Sequence, residues 1–149
     1  MIQLLNYFLF SSGRHLTREQ LINFLYLADL YAVKWTAKQL THLDWYCYWS
    51  EDGYYQLYSE ELSATLDSLL KENVKQDYRV CYSQIPISIR FVLDSILQEW
   101  GSRKKFNQLM IYINSTAPLE ELGAAPRLAK KQKINLLAER ARLIKELGI

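Results

Sequence analysis

The chain has 149 residues, of which 50% are hydrophobic and 23% charged, a balance that is typical of one folded domain and excludes wholesale disorder. Its net charge of +2 is too small to indicate a polyanionic partner. With two cysteines, no signal-peptide pattern and no apolar run of about 18 residues, we expect a cytoplasmic protein with free thiols and no membrane association. The unusual figure is the aromatic fraction of 13%.

Helical patterns dominate the first part of the chain. Apolar residues at helical spacing predict a helix over residues 4–9, and Gly13 can end it in the left-handed conformation. Thr17 and Gln20 fit the capping-box pattern. They predict the start of a largely buried helix that runs to about Trp35.

An aromatic hairpin follows. A short helical turn is predicted over Ala37–His42, and the period then changes to two over Trp45–Trp49. Glu51–Gly53 supplies a turn, and Tyr54–Tyr58 can return as the partner strand. The alternative is an ordered aromatic loop without strand pairing.

Three further elements are predicted before residue 101. Ser59 begins a helix that continues to Asn73, because a serine precedes two glutamates and a leucine repeat. Alternating residues predict a short strand over Tyr78–Tyr82. Pro86 begins the next helix, which Gly101 ends.

The last part of the chain is predicted to be helical on both sides of a linker. Ser102 caps a helix that carries the apolar residues of 106–113. Gly123–Pro126 is the best linker candidate. Leu128–Leu147 is predicted as one amphipathic helix.

These elements predict a mainly α fold with a small β element, in a single compact domain that is winged-helix-like in its first half. Residues 1–122 form the helical domain with its hairpin, and residues 123–149 form a hinge and the C-terminal helix. The apolar stripe of that helix must be buried, against the domain, a partner or a second copy of the chain. We favour folding back, since a short hinge permits it at little entropic cost.

Residues suited to catalysis are scarce. No metal-ligand spacing and no glycine-rich phosphate loop is present, so we expect no metal and no cofactor. His42 and Cys47 are the one nucleophile pair that a small hydrolase could use. A cysteine in an aromatic stretch usually behaves as a small hydrophobic residue, however, and we expect no enzymatic activity.

Asp29 is unusual because it lies in an apolar helical run. A buried carboxylate needs partners. It either points to a helix end, or pairs with an arginine or tyrosine of the core, or anchors a loop of a binding partner.

Two sets of residues are candidates for contacts with a partner. Tyrosine and tryptophan dominate protein interfaces, so the exposed aromatic residues of the hairpin are the predicted protein contacts. Basic residues that could contact the phosphates of a nucleic acid belong to the second half of the chain. The aromatic set is Trp45, Tyr46, Tyr48, Trp49, Tyr54 and Tyr55; the basic set is Arg103, Lys104, Lys105, Arg127, Lys130 and Lys131.

Residues 21–31, LINFLYLADLY, resemble the first long helix of the Panacea domain, the SocA-like antitoxin family. The aromatic strand, the leucine-spaced helix and the short strand of that family correspond in order to Trp45–Tyr48, Leu62–Leu70 and Tyr78–Tyr82. Val92–Gly101 and Leu109–Pro118 resemble its late helices. The resemblance covers roughly residues 5–120, and the chain departs from the family in its hairpin turn and in lacking a late Thr-His pair.

The resemblance implies a non-enzymatic antitoxin of a bacterial or phage toxin–antitoxin system, which neutralises a partner protein by direct binding. The alternative from the residues themselves is a winged-helix-like DNA-binding regulator. An oligomer through the C-terminal helix is a further expectation.

Overall fold

Helices form most of the fold, and a small antiparallel sheet packs against them. The computed structural model describes residues 1–13, 15–71, 84–123 and 131–148. The mainly helical prediction with a small β element is confirmed. In these ranges the helices are α1 (Ile2–Ser11), α2 (Arg18–Thr36), α3 (Glu60–Lys71), α4 (Ile87–Trp100), α5 (Phe106–Ser115), α6 (Ala117–Glu120) and α7 (Leu137–Glu146), and the strands are β1 (Tyr46–Trp49), β2 (Tyr55–Tyr58) and β3 (Gln132–Lys133).

Helix α2 is the centre of the core, and α1, α4, α5 and α7 all pack against it. Residues 24–28 are completely buried, so this helix is covered on every side there. Its predicted capping box is present, because the Thr17 hydroxyl accepts from the Gln20 N–H at 3.2 Å and the Gln20 side chain accepts from the Thr17 N–H at 2.9 Å. Gly13 has the left-handed φ of 67° that was predicted for the end of α1.

The aromatic hairpin is confirmed. Strands β1 and β2 are antiparallel, with Tyr46 opposite Tyr58 and Trp49 opposite Tyr55. Gly53 occupies their turn at φ 88°, where a glycine costs little. The sheet order is β2-β1-β3, so its third strand comes from the C-terminal part of the chain rather than from the first half.

The helical turn predicted over Ala37–His42 is wrong, since this segment is a loop. Ala37 takes a left-handed φ of 64° and ends α2. The N–H groups of Leu40 and Thr41 then donate to the carboxylate of Asp29 instead of to helical carbonyls. A nearby buried acceptor therefore replaces the hydrogen bonds that a helix would have supplied.

The single helix predicted over Leu128–Leu147 is also wrong. Gln132 and Lys133 pair with β1, and the Ile134 N–H donates to the Trp45 carbonyl at 2.9 Å. The open edge of β1 satisfies these backbone groups, so the helix begins only at Leu137. Helix α7 packs against α2 and α6, which confirms the predicted fold-back.

Several predicted features fall on residues outside the described ranges. Helix α3 is described to Lys71, and its predicted continuation to Asn73 lies outside the described residues. The same holds for Tyr78–Tyr82, for the linker beyond Gly123 and for residues 128–130. Within the part of the chain that is described, no helix combines the length and hydrophobicity needed to cross a membrane.

Candidate interaction surface

The hairpin is positioned by the carboxylate of Asp29, which is completely buried in α2. Its Oδ1 accepts from the N–H groups of Leu40 at 3.0 Å and Thr41 at 2.9 Å. Its Oδ2 accepts from the Thr41 hydroxyl at 2.5 Å, the Gln39 amide at 3.1 Å and the Trp45 indole N–H at 2.9 Å. The charge is thus met by donors of its own chain. Among the described residues, neither an arginine nor a tyrosine is a partner of Asp29, and the loop that it anchors belongs to its own chain.

The inner side of the hairpin belongs to the core. Trp45 lies directly before β1 and packs edge-on against Tyr26, with 5.7 Å between the ring centroids. Cys47 and Leu57 face each other across the strands and are buried, as is Tyr55. The two-residue alternation of a strand points these side chains inward. Trp45 and Tyr55, which were predicted partner contacts, are therefore corrected to core residues.

A groove lies between the hairpin turn and α5, and we call it the hairpin groove. Trp49, Tyr54, Ile111 and Asn114 are among the residues that line it, and its volume is about 470 Å³. Trp49 and Tyr54 are partly exposed, whereas the Ile111 side chain is 70% exposed. The groove therefore combines two of the predicted contact residues with an aliphatic side chain in water.

The walls of the hairpin groove are fixed by two contacts of Tyr55. The Asn114 side chain accepts from the Tyr55 N–H at 2.8 Å and donates to the Tyr55 carbonyl at 3.3 Å, which ties α5 to β2. The Trp49 ring meets the Tyr55 ring edge-on, with 5.0 Å between centroids. Trp49 is thus held at the surface by a core residue.

The outer side of the hairpin is rich in tyrosine. Tyr46 and Tyr58 are directly paired and partly exposed, and Tyr48 is exposed. A second concavity, of about 440 Å³, lies where this side meets the start of α3. We call it the tyrosine pocket; it is lined by Asp44, Tyr46, Tyr58, Ser59, Glu60, Glu61 and Lys131.

The two residues considered for catalysis lie in different environments. Cys47 is completely buried in β1, and burial raises the pKa of its thiol to about 12. His42 lies in the loop before the hairpin and is exposed. At neutral pH the Cys47 thiol is protonated, and a protonated thiol is a poor nucleophile. Among the described residues, no group of three or more His, Cys, Asp or Glu side chains is placed to hold a metal ion.

Three of the four predicted phosphate-contact residues that the structure describes make side-chain contacts within the chain. Arg103 donates to the His15 carbonyl at 3.3 Å, and Lys105 donates to the Glu99 carbonyl at 3.2 Å. Lys104 is exposed on the 3₁₀ turn Arg103–Lys105, which the Ser102 hydroxyl caps. The Lys131 ammonium lies over the ring of Tyr58 in the tyrosine pocket. Arg127 and Lys130 lie outside the described residues.

Ile111 and Asn114 are functional candidates that the sequence analysis missed. Leu109, Met110 and Ile113 form the buried stripe of α5, and Ile111 lies off this stripe. An isoleucine off the apolar face of an amphipathic helix is a usable indication of a surface contact. No comparable local pattern identifies Asn114, because its role depends on a strand 59 positions away.

No family model, curated protein or solved structure shows significant similarity to the chain. The resemblance to the Panacea domain therefore stays a prediction. The hairpin groove and the tyrosine pocket are the features from which a function can be inferred.

Proposed function

We propose that the chain is a non-enzymatic protein-interaction domain that binds a partner protein through the hairpin groove. The observation that carries this proposal is the exposed Ile111 side chain, which lines one groove with Trp49 and Tyr54. Aromatic residues beside an aliphatic side chain form the kind of cluster that dominates binding energy at protein interfaces.

The energetics favour covering this groove. Complete burial of an exposed isoleucine side chain stabilises a complex by about 1.5–3 kcal/mol, and aromatic rings add further buried area. Because Asn114 and Tyr55 already hold the walls, binding would order few additional groups. A preformed groove loses less conformational entropy on association than a flexible one.

The class of partner follows from the Panacea resemblance. The resemblance supports a partner that is a toxin protein of a bacterial or phage system. This chain would neutralise the toxin by occupying one of its functional surfaces. Neutralisation of this kind requires an accessible contact surface and no catalytic residues on the antitoxin.

Site-specific photo-crosslinking in the native host tests the proposal. A photoreactive phenylalanine replaces Ile111 in one variant and Ile87 in the other. Ile87 is a matched control because it is also an isoleucine, 62% exposed, at the start of α4. We expect a defined protein adduct from position 111 that is absent from position 87.

The adduct identifies the partner, which is then expressed alone and together with this chain. The proposal predicts growth arrest by the partner alone and rescue by co-expression. Equal adducts from both positions would contradict the role of the groove. Salt-sensitive DNA binding that does not depend on Ile111 would contradict the protein-interaction function and favour a DNA-binding regulator.

A further inference from the structure

The tyrosine pocket has two aromatic walls. Tyr46 and Tyr58 are directly opposite each other on β1 and β2, so their side chains share the outer side of the hairpin. Both are partly exposed and both line the pocket. The electron-rich face of a phenol ring attracts a cation that approaches it.

Three acidic residues, Asp44, Glu60 and Glu61, line the same pocket. Asp44 lies 3.9 Å from the ammonium of Lys133, a weak and exposed ion pair. Glu60 and Glu61 belong to the first turn of α3, and in the described part of the chain neither forms an ion pair. Among the described residues that line the pocket, three carboxylates therefore face the single ammonium of Lys131.

A cation of the chain already occupies this environment. The Lys131 ammonium lies 3.7 Å from the centroid of the Tyr58 ring. Lys131 itself is exposed. A contact of this kind at an exposed site is weak, so a competing cation can displace it.

We propose that the tyrosine pocket binds a lysine or arginine side chain of the partner protein, and that Lys131 occupies the site until the partner displaces it. The aromatic walls favour an organic cation over Ca²⁺ or Mg²⁺, which prefer an all-oxygen shell. The identity of the ligand as a partner side chain rests on the proposed function. The pocket itself can be tested without the partner.

The probe is a capped lysine, Nα-acetyl-lysine methylamide, titrated into the full chain and followed by NMR shifts of the Tyr46 and Tyr58 rings. The capped norleucine analogue, which lacks the charge, is the control ligand. Lys131→Met removes the internal occupant. Lys133→Met removes the same charge without uncovering the Tyr58 ring and is the matched control variant; its one effect on the pocket is to release Asp44 from an exposed ion pair.

We expect Lys131→Met to bind the capped lysine about two- to fivefold more tightly than wild type, the factor that an exposed cation–π contact provides. Lys133→Met should give a smaller gain. Replacing both Glu60 and Glu61 by Gln should weaken binding, and both sites are exposed, so the fold is preserved.

Equal gains from the two lysine variants would overturn the proposal, because they would show only a change in overall charge. Norleucine binding as tight as lysine binding, or indifference to the Glu60 and Glu61 changes, would also overturn it. Such a result would leave the hairpin-groove proposal standing, since no residue of that groove takes part in this experiment.

Discussion

The indole N–H of Trp45 donates to Oδ2 of Asp29 over 2.9 Å and joins α2 to the residue that precedes β1. Both side chains are buried, and the same carboxylate also binds the loop between them. Asp29 therefore fixes where the hairpin leaves the helical core. The surfaces on the hairpin depend on this buried polar cluster, although none of its members reaches them.

Replacing Asp29 by Ala should lower the free energy of unfolding by about 2–4 kcal/mol, because buried donors of Trp45 and Thr41 lose their acceptor. Urea denaturation measures this loss. Asp44→Ala, at an exposed aspartate, is the control and should change stability by about 0.5 kcal/mol or less. An Asp29→Ala protein as stable as this control would refute the structural role of the carboxylate.

The Cys47 thiol should be inert in the folded protein. Its burial and its pKa of about 12 leave almost no thiolate near pH 8. In a Cys81→Ser background, iodoacetamide should label Cys47 only as fast as the protein unfolds, and at once in concentrated urea. Mass spectrometry follows the label. Rapid labelling of the folded protein would contradict the buried position of Cys47.

The buried phenol of Tyr26 should make the protein sensitive to alkali. Burial raises its pKa well above the ordinary 10.0, although the hydrogen bond with Thr116 acts in the opposite direction. Above about pH 10 the unfolded chain loses this proton while the folded chain keeps it. Stability contributed by this group is complete below pH 10 and falls as the pH rises, by up to about 1.4 kcal/mol per pH unit.

Two core variants test this effect when their free energies of unfolding are measured near pH 8 and near pH 11. Tyr26→Phe should lose less stability between these two pH values than wild type does, since it lacks the titrating group. Leu27→Val, at a buried position without a proton to lose, should keep the wild-type slope. Identical slopes for all three proteins would exclude Tyr26 as the source.

Removing the chain after Gly123 should destabilise the remaining domain and promote aggregation. Ile134 and Leu136 are buried, and α7 covers part of α2. Each aliphatic side chain whose burial is lost costs about 1.5–3 kcal/mol, and most of the buried residues of α2 are apolar. Thermal denaturation and light scattering measure both effects. Truncation after Glu146 is the control, and an unchanged melting temperature after the long truncation would contradict the fold-back arrangement.

Sequence patterns correctly predicted the features that depend on interactions between residues close together in the chain. The Thr17–Gln20 capping box, Gly13 and the alternation over Trp45–Trp49 each correspond to the observed structure. In these cases the side chains and the backbone groups that they satisfy lie within a few residues of one another.

The mispredicted elements depend on contacts with residues that are farther away in the sequence. The carboxylate of Asp29 holds Ala37–His42 as a loop by accepting hydrogen bonds from its backbone. The open edge of β1 holds Gln132–Lys133 as a strand by pairing with it. Inward and outward positions on the hairpin were not assigned from the sequence, so Trp45 and Tyr55 were grouped with the surface residues. The pairing of Asn114 with Tyr55 likewise depends on tertiary packing.

The affinity of the crosslinked partner for three proteins tests the central claim most directly. Calorimetry compares wild type, Ile111→Glu and the matched Ile87→Glu, after equal melting temperatures have been established. Our account predicts that Ile111→Glu weakens binding about 30-fold, which corresponds to about 2 kcal/mol at an interface centre, while Ile87→Glu stays within about twofold of wild type. Wild-type affinity in the Ile111→Glu protein would contradict the assignment of the hairpin groove as the binding surface.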